Sequence, residues 1–157
     1  MPLLYVSGDP LLTRAQVLAF GHNVRGRLET SALHTRLADR YPAAFSTFQR
    51  RAAQGKFKTG TLWMWRESKP TLGFLIVRES PFGATRLRFV ESVVLGVARD
   101  YQLEGIRSLA LIAPGQAYEW STIKQVIEHW LGKSALPVIV YEQVIAGVRA
   151  DETPLLG

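Results

Sequence analysis

The sequence predicts one α/β domain, with a mostly parallel sheet that is covered by helices on both faces. Short apolar segments alternate along the chain with longer segments whose apolar residues recur every three or four positions. This is the pattern of alternating strands and helices. The short segments, such as residues 16–20 and 108–113, are apolar at every position after the first and not only at every second residue. Strands of that kind are buried on both faces, which is typical of a parallel sheet between two helical layers.

Turn and breaker residues divide the first half of the chain. Gly8 and Gly21 follow the first two apolar segments, and glycine commonly marks the turn after a strand. Pro42 separates two helical segments because proline fits the first turn of a helix but not its interior, and Gly55 ends the second segment. Strands are therefore expected at residues 3–6, 16–20, 61–66 and 72–78, the last two joined as a hairpin, and helices at 31–40 and 42–53.

The second half predicts a long helix, a strand, a helix and a final strand. Residues 85–103 carry apolar side chains at three- and four-residue steps, and Gly105 follows them, as in an amphipathic helix with a glycine stop. A strand is expected at 108–113, a helix at 119–131 and the last strand at 137–141. Residues beyond these have no clear place in the sheet. The predicted organisation is one domain over residues 1–142 and a C-terminal tail over 143–157.

Length and composition exclude several classes of protein. A chain of 157 residues with 47% apolar residues suits a single core. It has no cysteine, which excludes disulfides, thiolate metal sites and cysteine nucleophiles. No apolar run approaches the roughly 20 residues that span a bilayer, and the first residues lack the basic and apolar regions of a secretory signal. We therefore expect a cytoplasmic protein with no membrane contact.

Basic residues are concentrated in one part of this chain of net charge +6. The Arg36–Lys58 segment holds six basic residues and one acidic residue. Such a face can meet nucleic acid or a phosphorylated ligand, or it can be a solvated helix surface. Phe45 and Phe48, which lie among these charges, are three residues apart. That spacing is more typical of a helix packed on the core than of a base-stacking platform.

The stretch from Arg107 to Lys124 predicts a ligand site. It consists of a strand, a loop with Pro114 and Gly115, and a helix. Ligands bind beyond the carboxyl ends of strands in open α/β sheets, and the start of a helix offers free N–H groups to an anion. The loop has a single glycine, however, whereas a loop that wraps closely around phosphates usually has several.

The order of these segments resembles that of the macro domain family, whose members are three-layer α/β/α modules that bind ADP-ribose. It is most similar to the branch that includes the terminal ADP-ribose protein glycohydrolase and the antitoxin macro domains paired with DNA-ADP-ribosylating toxins. The segments that carry the resemblance are Tyr5-Val6-Ser7-Gly8-Asp9, Val17-Leu18-Ala19-Phe20-Gly21-His22-Asn23, Leu37-Ala38-Asp39-Arg40-Tyr41-Pro42, Gln54-Gly55-Lys56-Phe57-Lys58-Thr59-Gly60 and residues 108–121, which include Glu119-Trp120.

The resemblance implies two contacts with an adenine nucleotide. By position, Asp9 matches a carboxylate that accepts a hydrogen bond from the adenine amino group, although Asp9 can equally cap the turn that Pro10 begins. Asn23 matches a residue that faces the distal ribose, although it can also be a plain turn residue. The resemblance implies no cofactor, and the three histidines lack the spacing of metal ligands.

Both phosphate-binding turns depart from the family pattern. In the first, Glu29 lies where a glycine is expected, and its carboxylate would repel a diphosphate unless Arg25 or Arg27 pairs with it. The hydroxyls of Thr30 and Ser31 can donate hydrogen bonds at the following helix start. The second turn is short, and its candidate ligand contacts are Gly115, Gln116 and Tyr118.

The catalytic pattern is altered as well. The nucleophilic lysine of the branch aligns with Arg78, whose guanidinium stays protonated and cannot form the ribose adduct. Arg78 can instead hold a phosphate or a ribose oxygen. The loop aspartate has no match, because Glu119, the nearest acid, better suits the start of a helix. The candidates that remain for catalysis are Asn23 and, as a general base, His22.

Three functions are compatible with these residues. The first is a divergent module that binds ADP-ribose or a related adenine nucleotide with weak or absent catalysis. The second is an ADP-ribosyl glycohydrolase that acts on nucleic acid or protein, with the Arg36–Lys58 face holding a nucleic-acid strand. The third is a protein-interaction module of the same fold that no longer binds nucleotides.

Overall fold

A computed structural model of the chain describes residues 3–157. Within this range the chain forms six strands and five α-helices. The strands are β1 (Leu3–Gly8), β2 (Val17–Asn23), β3 (Leu62–Trp65), β4 (Thr71–Arg78), β5 (Leu109–Ile112) and β6 (Val138–Val144). The helices are α1 (Ala32–Arg40), α2 (Pro42–Ala53), α3 (Leu87–Asp100), α4 (Trp120–Leu131) and α5 (Thr153–Leu156).

The strands form one mixed sheet in the order β1-β6-β5-β2-β4-β3. Every neighbouring pair is parallel except β3 and β4, which form the predicted antiparallel hairpin. Helices α3 and α4 pack on one face through residues such as Val93 and Ile127, while α1 and α2 pack on the other through Leu37 and Phe48. The predicted three-layer α/β fold with a mostly parallel sheet is thus confirmed.

Two strands extend further than the sequence predicts, because their pairing continues. β2 runs three residues past its predicted end, since Gly21, His22 and Asn23 still pair with β4. β6 runs on to Val144, since its last residues pair with the end of β1. The first extension buries His22 and Asn23 inside the sheet and does not leave them in a turn.

Helix α3 is shorter than its apolar spacing predicts. It begins at Leu87 because Arg86 is extended and its N–H donates to the Val77 carbonyl, which ties the preceding loop to β4. It ends at Asp100, and the N–H of Ile106 closes the following turn by donating to the Tyr101 carbonyl. Residues 79–86 therefore form a loop between β4 and α3, and this loop is one wall of the site described below.

The segment predicted as a C-terminal tail contacts the end of β1. The N–H of Ile145 donates to the Gly8 carbonyl at 2.8 Å, and the N–H of Gly147 donates to the Asp9 carboxylate at 2.8 Å. Further on, the side chain of Glu152 is buried. The boundary at residue 142 stays a prediction. None of the helices in residues 3–157 has the length and apolar character that crossing a bilayer requires.

Candidate functional site

A cleft of about 760 Å³ opens at the carboxyl ends of β2, β4 and β5. This is the edge of an α/β sheet where ligands are expected. Its walls are the start of α1, the β4–α3 loop over residues 81–85 and the β5–α4 loop. Six of the predicted ligand-binding residues line it, whereas Asp9, Asn23 and His22 do not. The six are Thr30, Ser31, Arg78, Gly115, Gln116 and Tyr118.

A buried ion pair forms the inner wall of this cleft. The Arg78 Nη2 atom lies 2.7 Å from Glu29 Oε1, and its Nε donates to Glu29 Oε2 at 3.2 Å. Nη1 of the same guanidinium donates to the Thr85 hydroxyl at 2.8 Å. The partner of Glu29 is therefore Arg78, and not Arg25 or Arg27 as the sequence suggested. The pairing removes most of the repulsion that a lone carboxylate would exert on an anion.

Asn23 holds the loop that carries Glu29 into the cleft. Its amide nitrogen donates to the Arg27 carbonyl and to Glu29 Oε2, both at 2.8 Å, and its oxygen accepts from the N–H of Arg27. Both amide hydrogens are thus used within the protein, and the side chain is fully buried. A catalytic role for Asn23, expected from the sequence, does not fit this arrangement. Asn23 instead positions Glu29.

His22 lies under the cleft floor and not in it. Its ring is 0% exposed and packs among Phe45, Phe48 and Phe74. Nδ1 accepts from the N–H of Asn23 at 2.9 Å, and Nε2 has no partner within residues 3–157. Burial, followed by the nearby His34 and Arg78, lowers the pKa of His22 to about 3. The predicted general base at His22 is therefore excluded, since the ring has no path to a ligand.

The buried His22 ring predicts a loss of stability in mild acid. The unfolded chain takes up this proton near pH 6.5, whereas the folded protein does so only near pH 3, the pKa of the buried ring. The neutral ring therefore makes its full contribution to the free energy of unfolding above about pH 6.5. Below that pH the free energy of unfolding falls, by at most about 1.4 kcal/mol per pH unit for one histidine, until the pH reaches the pKa of the buried ring. Urea denaturation at pH 7, 6 and 5 measures the slope.

A variant that does not titrate provides the control. His22→Asn keeps an acceptor near the Nδ1 position for the N–H of Asn23, so we expect a flatter slope between pH 7 and pH 5. The slope that remains reports His34, whose pKa burial also lowers. Equal slopes in the two proteins would show that His22 is not the group responsible.

His34 is a residue of the cleft that no sequence motif singled out. This side chain is 8% exposed, lines the cleft and bridges two parts of its wall. Its Nε2 lies 2.8 Å from the Gly21 carbonyl, and its Nδ1 lies 2.6 Å from Ser31 Oγ. Ser31 also caps α1 by accepting the N–H of His34 at 3.0 Å. A serine cap followed by histidine at the third helical position was the available signal.

Three donors of the protein hold the buried Asp9 carboxylate. Oδ1 caps the turn by accepting the N–H of Leu11 at 3.0 Å, and Oδ2 accepts from Arg36 and from the N–H of Gly147. Burial acts to raise the pKa of the Asp9 carboxyl, but these donors outweigh burial and lower it. The capping role is present, whereas an adenine contact stays a prediction, since the Asp9 side chain is buried.

The β5–α4 loop needs its glycine. Gly115 has φ +85°, and a Cβ there would lie 2.7 Å from Glu119 Oε1 and 3.0 Å from the Ile123 side chain. That same Glu119 oxygen accepts the N–H of Gln116 at 2.6 Å and completes a capping box before α4. The expectation that Glu119 serves the helix start is thus confirmed. A side chain at position 115 would break this arrangement.

The fold allows comparison with solved structures. No family model matches the sequence. No curated protein matches it either. The macrodomain of DarG from Thermus aquaticus superposes with a TM-score of 0.78 at 19% identity, covering 89% of this chain and 97% of that one. The DarG macrodomain from Mycobacterium tuberculosis gives 0.78 at 16% identity, covering 88% and 96%.

A third structure is DarTG from Thermosipho africanus, solved in complex with ADP-ribose. Its TM-score is 0.82 at 23% identity, and the superposition covers 98% of this chain but only 44% of that longer one. The chain has the macrodomain fold. The resemblance drawn from five short sequence segments is thus confirmed at the level of the fold.

Two exposed aromatic rings stand at the mouth of the macrodomain cleft. Tyr118 on the β5–α4 loop is 81% exposed, and Phe82 on the β4–α3 loop is 85% exposed. Both line the cleft. The sequence indicated Tyr118 as a candidate ligand contact, but it offered no reason to single out Phe82, because the β4–α3 loop carries no motif that predicts a site.

The predicted basic face lies on the α1–α2 layer of the macrodomain. Arg40, Arg50 and Arg51 are exposed, whereas Arg36 turns inward and pairs with Asp9 at 2.6 Å. Phe45 and Phe48 are buried in the core, as their spacing predicted. They are therefore not a stacking platform. Contact of this face with nucleic acid stays a prediction.

Proposed function

We propose that the cleft binds ADP-ribose or a related adenine nucleotide, and that hydrolysis of ADP-ribosyl bonds there is weak or absent. The observation that carries this proposal is a cleft of about 760 Å³ whose wall holds a buried arginine, Arg78, at the ligand-binding edge of a macrodomain fold. Support also comes from DarTG of Thermosipho africanus, which shares the fold and was solved with ADP-ribose.

Arg78 retains hydrogen-bonding capacity for a phosphate. A guanidinium has five N–H groups, and three of them serve Glu29 and Thr85. Two remain, which suits an oxygen of a diphosphate or of a ribose. The exposed Thr30 and Gln116 side chains lie on opposite walls of the cleft and add polar groups. For the adenine base, the Tyr118 ring offers a stacking surface.

The charged side chains of the cleft make it a weak binding site for the diphosphate of ADP-ribose. Glu29 and Glu119 both line it, and Arg78 is the charged basic side chain that lines it within residues 3–157. A diphosphate therefore meets one more negative than positive charge on the walls. Exposed arginines on the neighbouring loops, such as Arg27 and Arg86, lie outside this set and are screened by solvent.

The arginine at position 78 also argues against the lysine chemistry of glycohydrolases. A guanidinium stays protonated at any physiological pH, and here it is committed to Glu29. It therefore cannot attack the ribose and form an imine. An ADP-ribosyl glycohydrolase of the usual kind would need another nucleophile, so we place nucleotide binding ahead of hydrolysis.

Removing the charge of Glu29 is expected to tighten nucleotide binding. In Glu29→Gln the Arg78 charge is no longer neutralised, and the cleft loses a carboxylate that repels the diphosphate. We expect the Kd for ADP-ribose to fall about tenfold, which corresponds to about 1.4 kcal/mol. Isothermal titration calorimetry on the wild type and the variant measures both values.

Glu67→Gln is the matched control, because it removes the same charge from an exposed residue outside the cleft. Equal gains in the two variants would mean that the ligand does not bind in the cleft. No heat and no thermal shift with millimolar ADP-ribose would contradict nucleotide binding and favour a protein-interaction module. Release of ADP-ribose from a modified protein or DNA oligonucleotide would contradict weak catalysis.

A further inference from the structure

A serine and a histidine form a hydrogen-bonded pair on the wall of the cleft. Ser31 Oγ lies 2.6 Å from His34 Nδ1, and His34 Nε2 lies 2.8 Å from the Gly21 carbonyl. We propose that Ser31 is a nucleophile with His34 as its general base, and that the cleft cleaves small carboxylic esters. This proposal does not depend on nucleotide binding.

The direction of the proton follows from the acceptor at the far side of the ring. A carbonyl oxygen only accepts, so His34 Nε2 carries the hydrogen that it donates to Gly21. In the neutral ring Nδ1 is then an acceptor, and the Ser31 hydroxyl must donate to it. This is the arrangement of an activated nucleophile: a hydroxyl on a base whose tautomer and orientation a third group fixes.

The environments of the two side chains suit these roles. Ser31 is exposed at the rim of the cleft, whereas His34 is 8% exposed and fixed among neighbours that include the Phe20 ring. Burial and the Arg78 charge lower the pKa of His34, although the Gly21 carbonyl and Glu29 act in the opposite direction. Burial therefore favours the neutral form of the ring, which is the form that can accept a proton, while the nucleophile remains accessible.

The same helix start supplies donors for an oxyanion. Ser31 is the N-cap of α1, and the N–H groups of Ala32 and Leu33 in the first turn have no acceptor within the helix. In acyl transfer, backbone N–H groups next to the nucleophile stabilise the negative oxygen of the tetrahedral intermediate. The two unused N–H groups of Arg78, which lines the same cleft, are a further source of positive charge.

The reaction balances with water as the only co-reactant. Ser31 Oγ forms a bond to the ester carbonyl carbon while its proton passes to His34 Nδ1. The bond to the leaving alkoxide then breaks, and His34 returns the proton to that oxygen to give the alcohol. Water, deprotonated by His34, attacks the acyl-serine and releases the carboxylic acid. As the acyl bond to Ser31 Oγ breaks, His34 returns the proton to that oxygen, which regenerates Ser31 and the neutral ring.

The test combines covalent labelling with turnover of a simple ester. A fluorophosphonate probe reacts with an activated serine by forming an O–P bond and releasing fluoride, and mass spectrometry locates the label. We expect a single label on Ser31 and measurable hydrolysis of p-nitrophenyl acetate. Ser31→Asn, which keeps a capping side chain, and His34→Gln, which keeps a donor for the Gly21 carbonyl, are each expected to lower turnover about 100-fold or more.

Ser46→Asn serves as the control, because Ser46 is an exposed serine on α2 outside the cleft, and it should leave labelling and turnover unchanged. Cooperative thermal unfolding shows that each variant is folded. The proposal is overturned by wild-type protein that is not labelled at Ser31, or by ester turnover that equals that of Ser31→Asn. Labelling at Ser31 that persists unchanged in His34→Gln overturns the role of the histidine as base.

Discussion

Replacing Arg78 with methionine is expected to lower the free energy of unfolding by about 3 to 5 kcal/mol, the range for breaking one side of a buried ion pair. The side chains of Arg78 and Glu29 are 9% and 8% exposed. Without the guanidinium, the Glu29 carboxylate keeps only the Asn23 amide as a side-chain donor within residues 3–157. Urea denaturation of the wild type and the variant measures the loss.

A surface pair provides the comparison for this loss. Arg86 and Glu79 are 3.9 Å apart, and both side chains are more than half exposed. Exposed pairs contribute less than about 1 kcal/mol, so Arg86→Met should change stability by no more than that. A similar loss in both variants would show that burial of the Arg78–Glu29 pair has no special consequence.

The double variant separates the unpaired charge from the lost packing. In Arg78→Met combined with Glu29→Gln, no charge is left at the site, and the amide oxygen of the new glutamine side chain can still accept from Asn23. Since the two positions are in contact, their effects should not add. We expect the double variant to recover most of the stability, and one as unstable as Arg78→Met alone would contradict this explanation.

Glu152→Ala is expected to lower the free energy of unfolding by about 3 kcal/mol, because it removes a buried carboxylate with three donors. Its oxygens accept from the Thr13 hydroxyl at 2.6 Å, the Arg14 N–H at 2.8 Å and the Tyr141 hydroxyl at 2.6 Å. Those donors would lose a charged acceptor at once. For a chain of this size the Tm should fall by about 6 to 12 °C, which differential scanning calorimetry measures.

Asp151→Ala is the neighbouring control with the same change in charge. Asp151 is exposed and accepts only from Thr153 among residues 3–157, so its loss should lower the Tm much less than Glu152→Ala does. If both variants unfold at the wild-type temperature, the C-terminal segment does not contribute to the stability of the domain. The predicted division at residue 142 would then describe a separable tail.

The helices and strands could be predicted where the signal lies within a few residues. Pro42 and Gly55 bound α2 because proline and glycine restrict or free the backbone locally. Ser31 marks the start of α1 through a hydrogen bond to the third helical residue. The spacing of Phe45 and Phe48 identified the buried face of α2. Such signals do not depend on the rest of the chain.

The roles of His22 and Asn23 were harder to predict. A glycine before them suggested a turn, but a turn and a continuing strand differ only in whether a neighbouring strand is present to pair. Here β4 continues alongside β2, so both side chains are buried. Their predicted catalytic part depended on exposure, and exposure is decided by the neighbouring elements.

The sequence by itself determined an α/β fold with a mostly parallel sheet, a glycine-containing loop after β5 and an arginine at position 78. These follow from local periodicity, turn residues and residue identity. Only the tertiary structure decided that Glu29 pairs with Arg78, 49 residues away, and that Glu152 joins Thr13, 139 residues away. It also placed His34 and Ser31 on the cleft wall. Pairing across such distances depends on the order in which strands lie side by side, which no local pattern encodes.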